Sequence, residues 1–248
     1  MTSSTPTLDR TARPGDIYAG GAALMYDDLA RQDSSEIDVL IQILRHAGAT
    51  TVLDLGCGSG RITLPLLAAL PVTFIAVDTS APLLALLADR LLPEEADRCR
   101  VVHADATLHR ESRVVDAAVM GTSTISLFDR DARTRLFATT RANLTPGGIF
   151  VLTNFCWTPG HLADSPVVQR GASGAHYALE EVWVSDERRR VTVRSLTSGR
   201  QAESEPWNLR HEQLVVELTA AGFTVPAALA LHEGPDGRNT LIIAEVPR

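Results

Sequence analysis

The chain of 248 residues is 45% hydrophobic and 21% charged, a composition typical of a globular protein with room for one sizeable α/β domain. Its formal net charge of −7 argues against a nucleic-acid partner, because nucleic-acid-binding surfaces are normally basic. All 23 basic residues are arginine, which excludes chemistry that needs a lysine amine, such as Schiff-base catalysis or a Walker phosphate loop. The three cysteines form no CxxC pair, so zinc-ribbon and iron–sulfur sites are disfavoured and no metal is expected.

The first sixteen residues are polar and lack the charged-then-apolar pattern of a secretion signal. No window of the chain approaches the 18 consecutive apolar residues that predict a membrane-spanning helix. We therefore expect a cytoplasmic protein without a membrane partner.

Apolar strands and amphipathic helices are predicted to alternate after Asp33. A first helix is indicated because Ile37, Leu40, Ile41 and Leu44 recur at helical spacing. Five strands are predicted at 51–55, 72–77, 101–103, 114–120 and 149–153, and the helices between them at 62–70, 80–92 and 129–143. Continuously apolar strands, each followed by a helix, are typical of a parallel sheet covered on both faces.

The alternation stops after the fifth strand. Residues 155–205 contain several prolines and glycines and a predicted hairpin, 179–184 with 191–196. The three arginines at 188–190 are interpreted as a solvated turn in that hairpin. A last helix at 211–221 and strands from 223 and at 241–246 then complete the sheet.

The segment 54–60, Asp-Leu-Gly-Cys-Gly-Ser-Gly, joins the first of these strands to its helix. Glycines at alternate positions let the backbone turn tightly and let a ligand approach the main chain, and the following helix offers free N–H groups. The spacing does not fit the G-x-G-x-x-G dinucleotide motif. The segment is therefore predicted to bind a different cofactor.

What does fit is D-x-G-x-G-x-G, and the segment resembles motif I of the class I S-adenosylmethionine (SAM) dependent methyltransferases. Asp78 ends the second strand and Asp105 follows the third, where that family places acids on the ribose and near the adenine. Residues 144–148, Leu-Thr-Pro-Gly-Gly, resemble the family's turn into strand five. The resemblance covers roughly residues 33–154.

The resemblance implies a Rossmann-like class I methyltransferase fold: a seven-stranded, mostly parallel sheet with helices on both faces and an inserted lid after strand five. It divides the chain into a lid segment at 1–32, a SAM-binding core at 33–154, a substrate or lid insertion at 155–205 and a C-terminal completion of the sheet at 206–248. SAM, with S-adenosylhomocysteine as its product, is the implied cofactor. The implied cofactor-binding residues are Tyr18, Tyr26, Asp54, Gly56, Cys57, Gly58, Gly60, Asp78, Thr79, Asp105, Ala106, Met120 and Gly121.

Several classes of methyl acceptor are disfavoured by the residues after strand four. Residues 121–125 read Gly-Thr-Ser-Thr-Ile, whereas enzymes that methylate base amines or glutamine carry Asn/Asp-Pro-Pro-Tyr/Phe there. Metal-dependent catechol-type enzymes need an acid where this chain has Gly121. Cys156 lacks the sequence context of a pyrimidine-methylating nucleophile and is interpreted as a half-buried core cysteine.

The classes of methyl acceptor that remain are small molecules and peptides, and we expect the methylated group to be an amine. The segment around Tyr18 and Tyr26 resembles the N-terminal lid of bacterial natural-product N-methyltransferases, among them enzymes that act on ribosomal peptides of the daptide type. Tyr26, Asn154 and His161 are the candidate catalytic residues for positioning or proton acceptance, with His176 and His211 as further proton acceptors. Trp207 and His211 are the candidate substrate residues.

Two alternatives to amine methylation stay open at this stage. One is O-methylation of a small-molecule hydroxyl or carboxyl, and the other is a non-catalytic SAM-binding regulator. The protein is expected to act as a monomer or a homodimer.

Overall fold

The computed structural model describes residues 15–160 and 166–248. In chain order the strands are β1 (Gly15–Asp16), β2 (Thr51–Leu55), β3 (Thr73–Asp78), β4 (Cys99–His103), β5 (Val115–Met120), β6 (Leu144–Trp157), β7 (Val167–Arg170), β8 (His176–Ser185), β9 (Arg188–Ser195), β10 (Gln201–Ser204), β11 (Thr224–Gly234) and β12 (Gly237–Glu245). The helices are α1 (Ala22–Ala30), α2 (Ile37–His46), α3 (Thr63–Ala69), α4 (Ala81–Arg90), α5 (Pro93–Ala96), α6 (Arg130–Asn143) and α7 (His211–Ala220), with a 3₁₀ turn at Thr124–Leu127.

The main sheet has seven strands in the order β11-β12-β6-β5-β2-β3-β4. Strands β6, β5, β2, β3 and β4 are parallel neighbours, and β12 runs antiparallel between β6 and β11. Apolar side chains cover both faces: Phe137, Phe150 and Leu214 lie in one cluster, and Leu40 and Phe74 lie in the other. This confirms the predicted Rossmann-like methyltransferase fold.

The other five strands form a second, separate sheet in the order β1-β10-β9-β8-β7. Strands β8 and β9 form the hairpin that the sequence predicts. The parallel pairing of β1 with β10 was not predicted, because β1 is two residues long and its partner is distant in sequence. The N-terminal segment and the region after β6 thus share one sheet and one small core, which includes Ile17, Met25, Tyr177 and Val193.

Strand β6 is longer than the predicted 149–153. It starts at Leu144 and continues to Trp157, because β12 pairs with it as far as the register Gly237 to Trp157. Its last residues therefore extend past Met120, where β5 ends. Of the helices that the structure describes, none is long and apolar enough to span a bilayer.

Candidate functional site

The glycine-rich loop lies between β2 and α3 at the carboxyl edge of the parallel strands. Gly56, Gly58 and Gly60 have φ values of +75°, +54° and +87°, which side chains disfavour. A Cβ atom at Gly56 would lie 2.6 Å from Cγ2 of Thr124. The amides of Gly56 and Cys57 donate to the carbonyl of Val77 at 2.8 and 3.1 Å, so the loop is held against the end of β3.

Asp78, the last residue of β3, is tied to this loop. Its carboxylate accepts the N–H of Gly58 at 2.8 Å and the N–H of Ser80 at 2.7 Å. Burial raises the pKa of Asp78, and these backbone hydrogen bonds oppose that shift. The next residue, Thr79, is exposed.

Asp54 lies one strand away and is 1% exposed. Its Oδ2 atom accepts the hydroxyl proton of Thr63 at 2.6 Å. Burial raises the pKa of Asp54 to about 7, so the group titrates close to neutral pH. The structure therefore places Asp54 beneath the loop, and not on its open surface.

The remaining predicted cofactor residues follow β4 and β5. Asp105 is exposed and accepts the N–H of Thr107 at 2.8 Å, while Ala106 is buried. Met120 is buried, and a Cβ atom at Gly121 would lie 1.9 Å from Cδ1 of Ile62. Cys57 is also buried, and burial raises the pKa of its thiol.

These residues fit SAM. Asp54 lies next to the last residue of β2, Asp78 ends β3 and Asp105 follows β4, so the three acids share one edge of the sheet. The glycine-rich loop runs along this edge, where ligands of open α/β sheets bind. Gly56 and Gly60 are required there by the loop itself, because a Cβ atom would lie 2.6 Å from Cγ2 of Thr124 and 2.5 Å from Cδ1 of Leu87. A cavity of about 870 Å³ lies instead among residues such as Thr51 and Thr73, at the amino ends of β2 and β3, and is therefore not the predicted cofactor site.

Tyr18 and Tyr26 lie over the carboxyl end of β3. Their rings pack edge to face with centroids 4.8 Å apart, and the carbonyl of Tyr18 accepts the hydroxyl proton of Ser80 at 2.6 Å. Burial raises the pKa of Tyr26 to about 12, and the charges of Arg61 and Asp78 also act on it. Both rings thus lie close to the predicted cofactor edge.

Two adjacent acidic residues of helix α1 bind two different parts of the structure. Asp27 accepts the hydroxyl proton of Ser59 at 2.5 Å and forms hydrogen bonds with both terminal nitrogens of Arg90, at 2.7 and 2.6 Å. Asp28 instead accepts the amide and hydroxyl protons of Ser173 at 2.6 and 2.7 Å and the hydroxyl proton of Tyr177 at 2.8 Å. The helix therefore links the glycine-rich loop to the second sheet.

Asp27→Asn is expected to lower the free energy of unfolding by about 1.5–3 kcal/mol at neutral pH, because hydrogen bonds to a charged group are lost. Burial alone would raise the pKa of Asp27, but the bonds from Arg90 and Ser59 outweigh it and hold that pKa below its usual value. The stabilisation should therefore be present above the unfolded-state pKa and lost as pH falls below about 4. Urea denaturation at neutral and acidic pH measures both effects.

Arg100→Gln is the control for this variant. Arg100 pairs with Glu111, but its side chain is 53% exposed, and such pairs contribute little. Equal destabilisation by the two substitutions would contradict the proposed strength of the Asp27 contact.

A cavity of about 290 Å³ opens where β6 extends past β5. Phe155, Trp157 and Trp207 supply its aromatic walls, and the rings of Phe155 and Trp157 have centroids 4.6 Å apart. Its hydroxyl-bearing residues are Thr122, Ser123, Ser126, Thr153 and Ser35, and its other polar residues are Asp33, Glu36, Arg189 and Asn239.

Glu36 joins this cavity to the cofactor edge. It is 2% exposed, pairs with Arg61 and accepts the N–H of Thr122 at 3.2 Å. Thr122 and Ser123 have φ values of +53° and +55°, a conformation that costs free energy in non-glycine residues and is often found at functional sites. Sequence reasoning missed Glu36 and, after Gly121, treated 122–125 only as part of a missing motif.

The burial of Arg189 contradicts the interpretation of residues 188–190 as a solvated turn. Its residue exposure is 7%, it pairs with Glu181, and its guanidinium lies 4.2 Å from the ring centroid of Trp157. Burial lowers the pKa of Arg189 to about 10. The turn comprises only residues 186–187, because β9 already begins at Arg188.

Asn154, a candidate catalytic residue from the sequence, does not line this cavity. Successive side chains of a strand face opposite sides, and the cavity is lined by Thr153 and Phe155. The Nδ2 atom of Asn154 instead donates to the carbonyl of Leu209 at 2.7 Å. Asn154 therefore holds the segment before α7 in place.

The histidines lie apart from the cavity as far as the structure describes them. His176 is exposed at the start of β8, and His211 begins α7 beside Glu212. His161 lies outside the described residues. Trp207 does line the cavity, with the guanidinium of Arg188 4.9 Å from its ring centroid. Within 15–160 and 166–248, no three metal-ligating side chains are grouped to hold a metal ion.

A sequence model of a methyltransferase domain matches residues 52–148. No curated protein matches the chain in sequence. Many solved structures are similar to it. A SAM-dependent methyltransferase from Clostridium acetobutylicum has a TM-score of 0.75 at 16% identity and covers 91% of this chain and 98% of its own.

Another is the sugar N-methyltransferase KedS8 from Streptoalloteichus, with a TM-score of 0.69 at 21% identity, covering 100% of this chain and 99% of its own. A third is the glycopeptide N-methyltransferase MtfA in complex with sinefungin, with a TM-score of 0.64 at 24% identity and coverages of 94% and 92%. These likenesses establish the fold. The chain thus has a class I methyltransferase fold, and its residues 52–148 match a methyltransferase domain.

Proposed function

We propose that the protein methylates an amine of a small molecule or a peptide in natural-product biosynthesis. The observation that carries this proposal is the acidic and aromatic cavity beside the cofactor edge. Asp33 and Glu36 line it together with Phe155, Trp157 and Trp207. Carboxylates attract an ammonium group, and aromatic faces bind cations and their alkyl substituents. The N-methyltransferases among the similar structures support the same acceptor.

When bound, SAM supplies a methyl group that already has a good leaving group. An ammonium group has no lone pair, so the bound acceptor has to release one proton to water before its nitrogen can take the methyl group. The chain then has to align that nitrogen with the methyl carbon, which is a proximity effect. We assign this positioning to Glu36, which lies in both the cavity lining and the network with Arg61 and Thr122. Tyr26 would close the cofactor edge from above.

Cys156 has no assigned role in this scheme. It is partly buried, and burial raises the pKa of its thiol, which disfavours the nucleophilic thiolate. Cys156→Ser should therefore retain most of the activity.

Incubating the protein with trideuteromethyl-labelled SAM and extract of the producing cell, followed by mass spectrometry, tests the proposed function itself: the label should appear on nitrogen. A label on oxygen or carbon would overturn the amine assignment.

Glu36→Gln is expected to lower kcat/KM for the amine about 10- to 100-fold, chiefly through KM, because a charge-assisted contact to the ammonium is lost. SAM affinity, measured by calorimetry, should change much less. Arg61→Gln is the matched variant, since it breaks the same ion pair and leaves the carboxylate in place. If both variants lower kcat/KM equally and raise KM by the same factor, Glu36 acts only through its structural pair.

A further inference from the structure

Three polar groups on the lining of the 290 Å³ cavity have buried atoms that no described residue satisfies. They are the hydroxyl of Thr153, the side-chain oxygen of Asn239 and Nε of Arg189. Thr153 is 2% and Arg189 is 7% exposed. Five other buried side-chain atoms among the described residues also lack a partner, but these three line one cavity, where a ligand can satisfy them together.

These three residues come from neighbouring elements and line the same space. Thr153 lies on β6, and Asn239 lies on β12 opposite Phe155, two residues further along β6. Because residues two apart on a strand share a face, Thr153, Phe155 and Asn239 all face the cavity. Arg189 approaches from β9, stacked on Trp157.

The charges of the lining select the kind of group that can bind there. Arg189 already pairs with Glu181, and the carboxylates of Asp33 and Glu36 also line the cavity. A carboxylate on the ligand would therefore be repelled by these side chains. A neutral group that both donates and accepts hydrogen bonds matches a guanidinium nitrogen, a hydroxyl and an amide oxygen together.

We propose that the methyl acceptor carries a neutral hydrogen-bonding group, an amide or a hydroxyl, close to its amine, and that Thr153, Asn239 and Arg189 bind this group. The inference rests on the proposed amine methylation and deepens it. A cavity of about 290 Å³ is at the small end of ligand sites, so it holds one compact amine-bearing unit. Both the terminal residue of a peptide and an amino sugar supply this chemistry.

The test measures binding of four small amines to the complex of the protein with S-adenosylhomocysteine, by tryptophan fluorescence, since Trp157 and Trp207 line the cavity. Alaninamide carries an amide, glucosamine carries hydroxyls, alanine carries a carboxylate, and isobutylamine carries no second polar group. Alaninamide or glucosamine should bind roughly 10-fold more tightly than alanine and isobutylamine. Which of the two binds better distinguishes the peptide source from the sugar source.

Thr153→Val and Asn239→Leu should each reduce this preference several-fold, because they remove a hydrogen-bonding atom at nearly constant volume. Thr140→Val is the matched control: the hydroxyl of Thr140 is also buried and has no partner among the residues described, but it does not line the cavity. It should keep the preference. Thr153→Val and Asn239→Leu are two independent variants, so a folding defect in one leaves the other as a test.

Equal binding of all four amines, failure of both polar amines to bind, or tightest binding of alanine would overturn the inference. So would an unchanged preference in both cavity variants. The position of the methyl group in the product tests the proposed function separately, so the two can fail independently.

Discussion

Asp78→Ala is expected to weaken SAM binding roughly 10- to 150-fold, which corresponds to the 1.5–3 kcal/mol typical of hydrogen bonds to a charged group. The structure gives two reasons for a large effect. The carboxylate ends β3 on the cofactor edge, where a ribose diol can donate to it, and it also accepts the N–H of Gly58 at 2.8 Å. Its removal therefore takes away a ligand contact and loosens the glycine-rich loop.

Asp116→Ala separates these effects from general destabilisation. Asp116 also accepts backbone N–H groups, from Thr50 at 2.9 Å and Thr51 at 3.0 Å, but at the opposite edge of the sheet. Calorimetric titration of both variants with SAM and S-adenosylhomocysteine measures the difference. Asp116→Ala should keep its affinity, and unchanged affinity in Asp78→Ala would contradict both the ribose contact and the role of Asp78 in ordering the loop for SAM.

Local patterns predicted the core of this protein because their causes are local. Glycines at alternate positions identify a loop with positive φ, and a strand that ends in an acid places that acid on the carboxyl edge. Each feature depends on a few consecutive residues, such as 54–60. The parallel pairing of the strands then follows from their alternation with helices, whereas their order in the sheet was not predicted.

The cavity that we propose for the acceptor was harder to predict, because its walls come from distant segments. Arg189 reaches it from β9 and Asn239 from β12, and no short sequence window relates them to Phe155. The orientation of Asn154 could not be predicted for a similar reason. Alternation along β6 shows that Asn154 and Phe155 face opposite sides, but only the packing of the segment that contains Leu209 decides which side meets the cavity.

Asp54→Asn is expected to stabilise the ligand-free protein at pH values above about 7 by up to about 4 kcal/mol. Burial raises the pKa of Asp54 to about 7 in the folded protein, well above its value of about 4 in an unfolded chain. Between these values the folded state holds a proton that the unfolded state releases, so stability falls as pH rises. Asparagine carries no charge to bury and keeps an oxygen that accepts from Thr63.

Urea denaturation across about pH 4 to 8 measures this effect. The fall in stability should disappear in Asp54→Asn. Asp116→Asn should do the opposite and lose stability at neutral pH, because hydrogen bonds from Thr50 and Thr51 outweigh the effect of burial and lower the pKa of Asp116. Equal pH profiles for wild type and Asp54→Asn would show that Asp54 stays ionised in the fold.

SAM binding should favour the ionised form of Asp54. An acid near the carboxyl end of β2 can lie beside the cationic amino-acid end of the cofactor, and that charge would favour the carboxylate and lower its pKa. Binding at about pH 6 should then release a proton, which calorimetry detects as a dependence of the binding enthalpy on the buffer's ionisation enthalpy. Asp54→Asn should abolish that dependence. A wild-type enthalpy that is independent of the buffer would place the cationic end away from Asp54, because the carboxyl group would then bind SAM without changing its protonation.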